Sequence, residues 1–105
     1  MNWIALIVAG IFEIGWPLGL KMAQQPESNK LGWIVVAVIS MSISGGLLFY
    51  AQKAIPIGTA YAVWTGLGAV GTLLVGIVFF GDSASIFRLL SATLIVAGII
   101  GLKIF

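Results

Sequence analysis

Four long apolar runs constrain this chain of 105 residues more than any other feature. A helix rises about 1.5 Å per residue, so about 20 residues cross the roughly 30 Å hydrocarbon core of a bilayer. Residues 3–21, 31–52, 57–80 and 86–104 each reach that length with few charges. Lipid offers no hydrogen bonds, so each backbone group must be paired within its own segment, and helices are the default. The connections Lys21–Lys30, Gln52–Pro56 and Gly81–Ser85 hold the turn and polar residues Gln24, Pro26, Ser28, Asn29, Pro56, Gly81 and Asp82. None is long enough for another domain. The expected fold is an all-α membrane protein: one antiparallel bundle of four transmembrane helices, a single domain over residues 1–105.

Composition closes off other classes. Hydrophobic residues make up 61% of the chain and charged residues 8%, against about 45–50% and about 25% in soluble domains. So few charges cannot cover a water-facing surface, which excludes a soluble enzyme; a disordered tail would need low hydrophobicity. There are no cysteines and no histidines. That removes disulfides, thiolate metal sites and the commonest general base, and no metal or cofactor site is expected. Five basic residues scattered singly are no nucleic-acid footprint. The opening residues lack a basic stretch ahead of the apolar run, and that run contains an acid, so a cleaved signal peptide is not expected.

With the N-terminus on one face, Lys53 and Lys103 share that face, while Lys21, Lys30 and Arg88 lie on the other. Orientation follows an imbalance of Lys and Arg across the membrane. Two against three is almost none, and the N-terminal amine evens it further. Either a slight bias selects one orientation, or the chain inserts both ways and pairs antiparallel. Charge counting leaves both open.

One acid lies inside a span. Glu13 is near the middle of the first run, whereas the other charges sit at span ends or in connections. An ionised, unpaired carboxylate at that depth costs several kcal/mol, and no basic residue inside a span can neutralise it. One reading is a glutamic acid kept protonated or tied to a neighbouring backbone. The other is functional, because intramembrane ionisable groups mark ion and substrate pathways. A carboxyl that holds a proton, or releases it for a cation, has the chemistry of a proton-coupled carrier.

Helical spacing puts Leu6, Ala9, Gly10, Glu13, Trp16, Pro17 and Leu20 on one face. Small residues there admit another helix, and Trp16 either sets an aromatic wall one turn from the carboxyl or serves ordinary lipid and helix packing. Pro17, four residues after Glu13, removes the hydrogen bond to the Glu13 carbonyl and is expected to kink the helix. In the third run Tyr61, Trp64, Thr65 and Gly68 share a face. Tyr61 can donate to a carboxylate and Trp64 offers a π face to a cation. Gly66-Leu67-Gly68-Ala69-Val70-Gly71 spells G-x-G-x-x-G, but a dinucleotide site needs a strand before it. Inside an apolar span, Gly66, Gly68 and Gly71 instead permit close packing or bending. Ser40 and Ser44 share a face of the second run; Ser44 either hydrogen-bonds in the site or bonds back to its own helix. Ala97 and Gly101 form a small-xxx-small pair that suggests a seam on the fourth helix. Four helices enclose little space around one carboxylate. A polar cavity with two carboxylates follows if two chains pair.

These residues resemble the small multidrug resistance family along the whole chain. The glutamate in Gly10-Ile11-Phe12-Glu13-Ile14-Gly15-Trp16 is similar to the family's essential first-helix glutamate. The run Pro56-Ile57-Gly58-Thr59-Ala60-Tyr61-Ala62-Val63-Trp64-Thr65-Gly66 is similar to its most specific signature, and Gly98-Ile99-Ile100-Gly101-Leu102-Lys103 also fits. Trp16, the stretch from Trp64 to Gly71 and the Gly-Leu-Lys ending resemble the guanidinium-exporter branch rather than the quaternary-ammonium branch. The resemblance implies an antiparallel, dual-topology homodimer in a bacterial plasma (inner) membrane, exchanging protons for a small cation by alternating access. It implies that both Glu13 copies bind substrate and protons in competition, that Trp16, Ser44, Tyr61 and Trp64 line the site, and that the third-helix glycines bend between states. Beyond the coupling proton it implies no cofactor.

Two features depart from the pattern. Pro17 replaces a small residue, and the first connection, Gln24-Gln25-Pro26-Glu27-Ser28-Asn29, is unlike the usual Gly-Phe-Thr-Arg type. A kink beside Glu13 suggests room for substituted guanidiniums such as guanylurea or biguanides. A close rival is a polyspecific proton antiporter of hydrophobic quaternary ammonium drugs, which donate no N–H and rely on aromatic walls. A rotor-ring proteolipid also carries one carboxylate among glycine-rich helices, but typically as a two-helix hairpin.

Overall fold

The computed structural model describes residues 2–105. Its helices are α1 (Asn2–Ala23), α2 (Lys30–Ala51), α3 (Ile57–Phe79) and α4 (Ile86–Ile104). Their ends fall within two residues of the spans read from hydropathy. Each is long and apolar enough to cross a membrane.

Local chemistry sets the ends. The Asn29 side chain accepts a hydrogen bond from the Gly32 N–H and caps α2. Pro56 precedes α3, where an N–H would find no intrahelical partner, and Ser85 caps α4 by accepting from the Arg88 N–H. Ser28 closes the first connection, its single hydroxyl hydrogen within reach of the carbonyls of Ala23 and Gln25 at 3.1 and 3.0 Å. After α3, Gly81 takes φ +72°, the left-handed region that a side chain disfavours. That turn brings the Asp82 N–H back to the Gly76 carbonyl at 3.0 Å and lays the Asp82 side chain over Gly76.

The chain runs up and down. Lys103 at the end of α4 lies 5.4 Å from the Trp3 ring at the start of α1. Lys21 at the end of α1 lies 5.9 Å from the Phe80 ring beyond α3. The two faces expected from the charge pattern therefore meet the helix ends as assigned.

α1 is the central helix, packed on α2 and α3, while the α4 backbone packs against α3. Close approach is made by glycine. On the α1–α2 seam Gly15 faces Ser40 and Gly19 faces the Trp33 carbonyl and Ala37; on the α1–α3 seam Gly10 faces Leu67 and Gly71 faces Ile14. The bundle is a slab of 46 × 34 × 17 Å. Its apolar core is a small cluster of Leu6, Ala51, Ile55, Ala60 and Val63 at one end. Large side chains such as Ile4, Val78, Phe87 and Leu94 point outward along the spans, as a lipid-facing surface requires.

Candidate functional site

Glu13 sits mid-helix on α1, half-buried between α2 and α3. Three elements converge on it because small residues let them. Gly68 of α3 lies against the side chain: a Cβ there would stand 2.5 Å from Glu13 Cγ and 3.0 Å from its Cβ. On α2, Ser44 is fully buried and is the one buried polar residue among those described.

The carboxyl is held from two sides. Trp16 Nε1–H, one turn along α1, donates to Glu13 Oε1 at 2.6 Å. Ser44 Oγ lies 3.2 Å from Glu13 Oε2 and 2.7 Å from the Ala9 carbonyl. Trp64 Nε1–H of α3 donates to Ser44 Oγ at 2.7 Å. A hydroxyl has one hydrogen and two lone pairs, so Ser44 cannot donate to Ala9 and Glu13 together. With Glu13 protonated, the carboxyl O–H donates to Ser44, Trp64 fills its second lone pair, and Ser44 donates to Ala9. With Glu13 ionised, the Ser44 hydrogen turns to Oε2. Both states are satisfied by rotating one O–H bond, and no buried side-chain nitrogen or oxygen among the described residues is left unpartnered.

Four of the residues named from sequence thus form one network: Glu13, Trp16, Ser44 and Trp64. Tyr61 makes no hydrogen bond to the carboxyl. It is exposed, its ring centroid lies 5.5 Å from that of Trp64 at a tilt of 56°, and its hydroxyl bonds to none of the described residues. Pro17 lies one turn beyond Glu13, and α1 runs through it as an uninterrupted helix. Gly68 and Gly71 pack on α1, while Gly66 receives Ile95 and Ile99 of α4. Ala97 is exposed, and a Cβ at Gly101 would meet nothing within 4 Å, so this pair faces away from the bundle.

Beside Glu13 the α1–α3 groove widens into a cleft of ≈ 310 Å³ lined by Glu13, Pro17, Thr65, Gly68, Ala69 and Thr72. Sequence reasoning missed Thr72. Its signal was a second threonine two turns after Thr65, on the same face of an otherwise apolar run. It also missed the Ala9 carbonyl, because a backbone acceptor leaves no mark in composition.

The family model described as "Small Multidrug Resistance protein" matches residues 1–95. The chain is 52% identical to a guanidinium exporter of Proteus vulgaris over 104 residues, covering 99% of this chain and 98% of that protein. It is 51% identical to the guanidinium exporter of Yersinia pseudotuberculosis, with the same coverage. It is 50% identical to that of Escherichia coli K12, covering 99% and 97%.

Proposed function

Because the chain belongs to the small multidrug resistance family, we propose that it is a proton-coupled antiporter that exports guanidinium or small substituted guanidinium cations. The observation that carries this reading is the Glu13 carboxyl, held mid-span by Trp16 and Ser44. Guanidinium is planar and presents paired N–H donors that match the two oxygens of a carboxylate. A proton on Glu13 occupies the acceptor that the cation needs, so one residue serves both ions in turn. Competition at that residue couples their fluxes without a separate gate for each.

Around the carboxyl, Ser44 keeps a polar partner for it in either protonation state. Trp16 fixes one oxygen, leaving the group oriented toward the cleft. Trp64 orients Ser44 and offers its ring, with Tyr61, to a passing cation. The working form is an antiparallel, dual-topology homodimer with two Glu13 carboxyls at a shared site, alternating between the two faces. The thin slab, the outward Ala97–Gly101 pair and the near-even charge split support that assembly. Relatives named as bacterial exporters support a multi-pass place in the inner membrane.

The rival substrate class, quaternary ammonium drugs, finds its own support in the exposed Tyr61 ring against Trp64. The hydrogen-bonded carboxyl favours a cation that donates N–H bonds. The test is transport by purified protein in proteoliposomes, with guanidinium and tetraethylammonium as probes. Guanidinium flux driven by a proton gradient, and lost in Glu13→Gln, supports the reading. Undiminished proton-driven flux in Glu13→Gln would sink it.

A further inference from the structure

Threonine and serine hydroxyls inside a helix usually bond back to a carbonyl one turn earlier. Ser42, Ser91 and Thr93 do so here, at 2.8, 2.8 and 2.9 Å. Thr65 and Thr72 do not: among the described residues neither hydroxyl has a partner, and both line the cleft beside Glu13. A hydroxyl at membrane depth without a partner is unfavourable unless water or a ligand meets it. Across the cleft, Pro17 has no N–H to give to the Glu13 carbonyl one turn before it, which leaves a backbone acceptor without its usual donor. Thr72, Pro17 and the residue whose carbonyl lacks its usual donor therefore line the same cleft, beside the carboxyl itself.

The space is large enough to hold more than a bare guanidinium. The cleft of ≈ 310 Å³ continues along the α1–α3 groove into a second of ≈ 240 Å³, Pro17 and Thr72 bordering both. Ligand pockets begin at about 300 Å³.

Resting on the guanidinium transport argued above, we propose that Thr72, with the Pro17-released carbonyl of Glu13, forms a selectivity subsite. It receives the substituent of an N-substituted guanidinium when that substituent both accepts and donates hydrogen bonds, as a carbamoyl group does. The substituent carbonyl accepts from the Thr72 hydroxyl, and its amide N–H donates to the Glu13 carbonyl. The guanidinium end remains on the Glu13 carboxyl. Thr72 is a specificity-determining residue in this scheme and takes no part in proton exchange.

The experiment compares KM for guanidinium and for guanylurea (carbamoylguanidinium) in proteoliposomes. Proteins tested are the native chain, Thr72→Val, which keeps the shape and removes the hydroxyl, and Thr72→Ser, which keeps the hydroxyl. The expected result is that Thr72→Val raises the guanylurea-to-guanidinium KM ratio about five- to tenfold, the loss of one hydrogen bond, while Thr72→Ser restores the native ratio. A ratio unmoved in Thr72→Val overturns the subsite while guanidinium transport stands. So does a ratio shifted equally by both variants, which would assign the effect to packing of the methyl group. A native chain that carries neither cation overturns the transport reading itself, and the subsite with it.

Discussion

Gly68→Ala tests whether the α3 backbone sets the position of the carboxyl. The new Cβ would stand 2.5 Å from Glu13 Cγ. Carbon–carbon contacts settle at about 3.5–4.0 Å, so the glutamate side chain must retreat by about 1 Å. It cannot retreat freely, since Trp16 holds Oε1 at 2.6 Å and Ser44 lies 3.2 Å from Oε2. A retreat of that size carries the Ser44 contact beyond hydrogen-bonding range. Losing a hydrogen bond to an ionised group costs about 1.5–3 kcal/mol, roughly 10- to 100-fold in cation affinity. Stability responds differently. Alanine improves helix propensity over glycine by about 1 kcal/mol, which offsets part of an overpacking strain of about 1–3 kcal/mol. Guanidinium transport in proteoliposomes should therefore fall by one to two orders of magnitude, while thermal stability in detergent changes little. Gly71→Ala, which meets the apolar end of Ile14 instead of the carboxyl side chain, is the control. It should weaken the α1–α3 seam more than cation affinity. A Gly68→Ala protein with native KM would refute the claim that this contact positions Glu13.

Ser44→Ala strips the partner from Trp64 Nε1–H and leaves one Glu13 oxygen unsupported. Each buried group left unpaired costs about 1–3 kcal/mol, so both melting temperature and transport should drop; a variant with native values in both would dissolve the network described above. Proton competition at Glu13 requires the apparent KM for guanidinium to rise as pH falls on the substrate side, with the maximal rate approached at saturating cation. A KM flat across the acidic range would speak against a shared carboxyl. Gly19→Leu should disrupt folding, because even a Cβ there stands 3.0 Å from the Trp33 carbonyl on α2; sedimentation as a native-like species in detergent would contradict the seam.

Much of this protein was legible in its sequence, for a physical reason. Lipid leaves one way to pair a spanning backbone, so apolar runs of the right length become helices whatever their neighbours do. The four spans, their alternating direction and the exclusion of a soluble fold all follow from that. Glu13 stood out because an acid at mid-span is costly enough to need a purpose. Spacing put Trp16 one turn from it but left a site role and ordinary packing equally open; the bundle supplies the hydrogen bond.

Contacts between helices were another matter. Periodicity says which face a residue is on and nothing about which face meets it. Only the packed bundle brings Ser44 and Trp64 together with Glu13, sets Gly68 beneath the carboxyl and directs Gly66 to α4 instead. It sets the Tyr61 ring against Trp64 with no hydrogen bond to the acid, although the sequence put both tyrosine and glutamate on suitable faces. Thr72 and the Ala9 carbonyl took on meaning only through what lies opposite them. The sequence determined that a carboxyl would be carried into the membrane. Tertiary structure decided its hydrogen-bond partners, because those are set by glycine-mediated approach of helices distant along the chain.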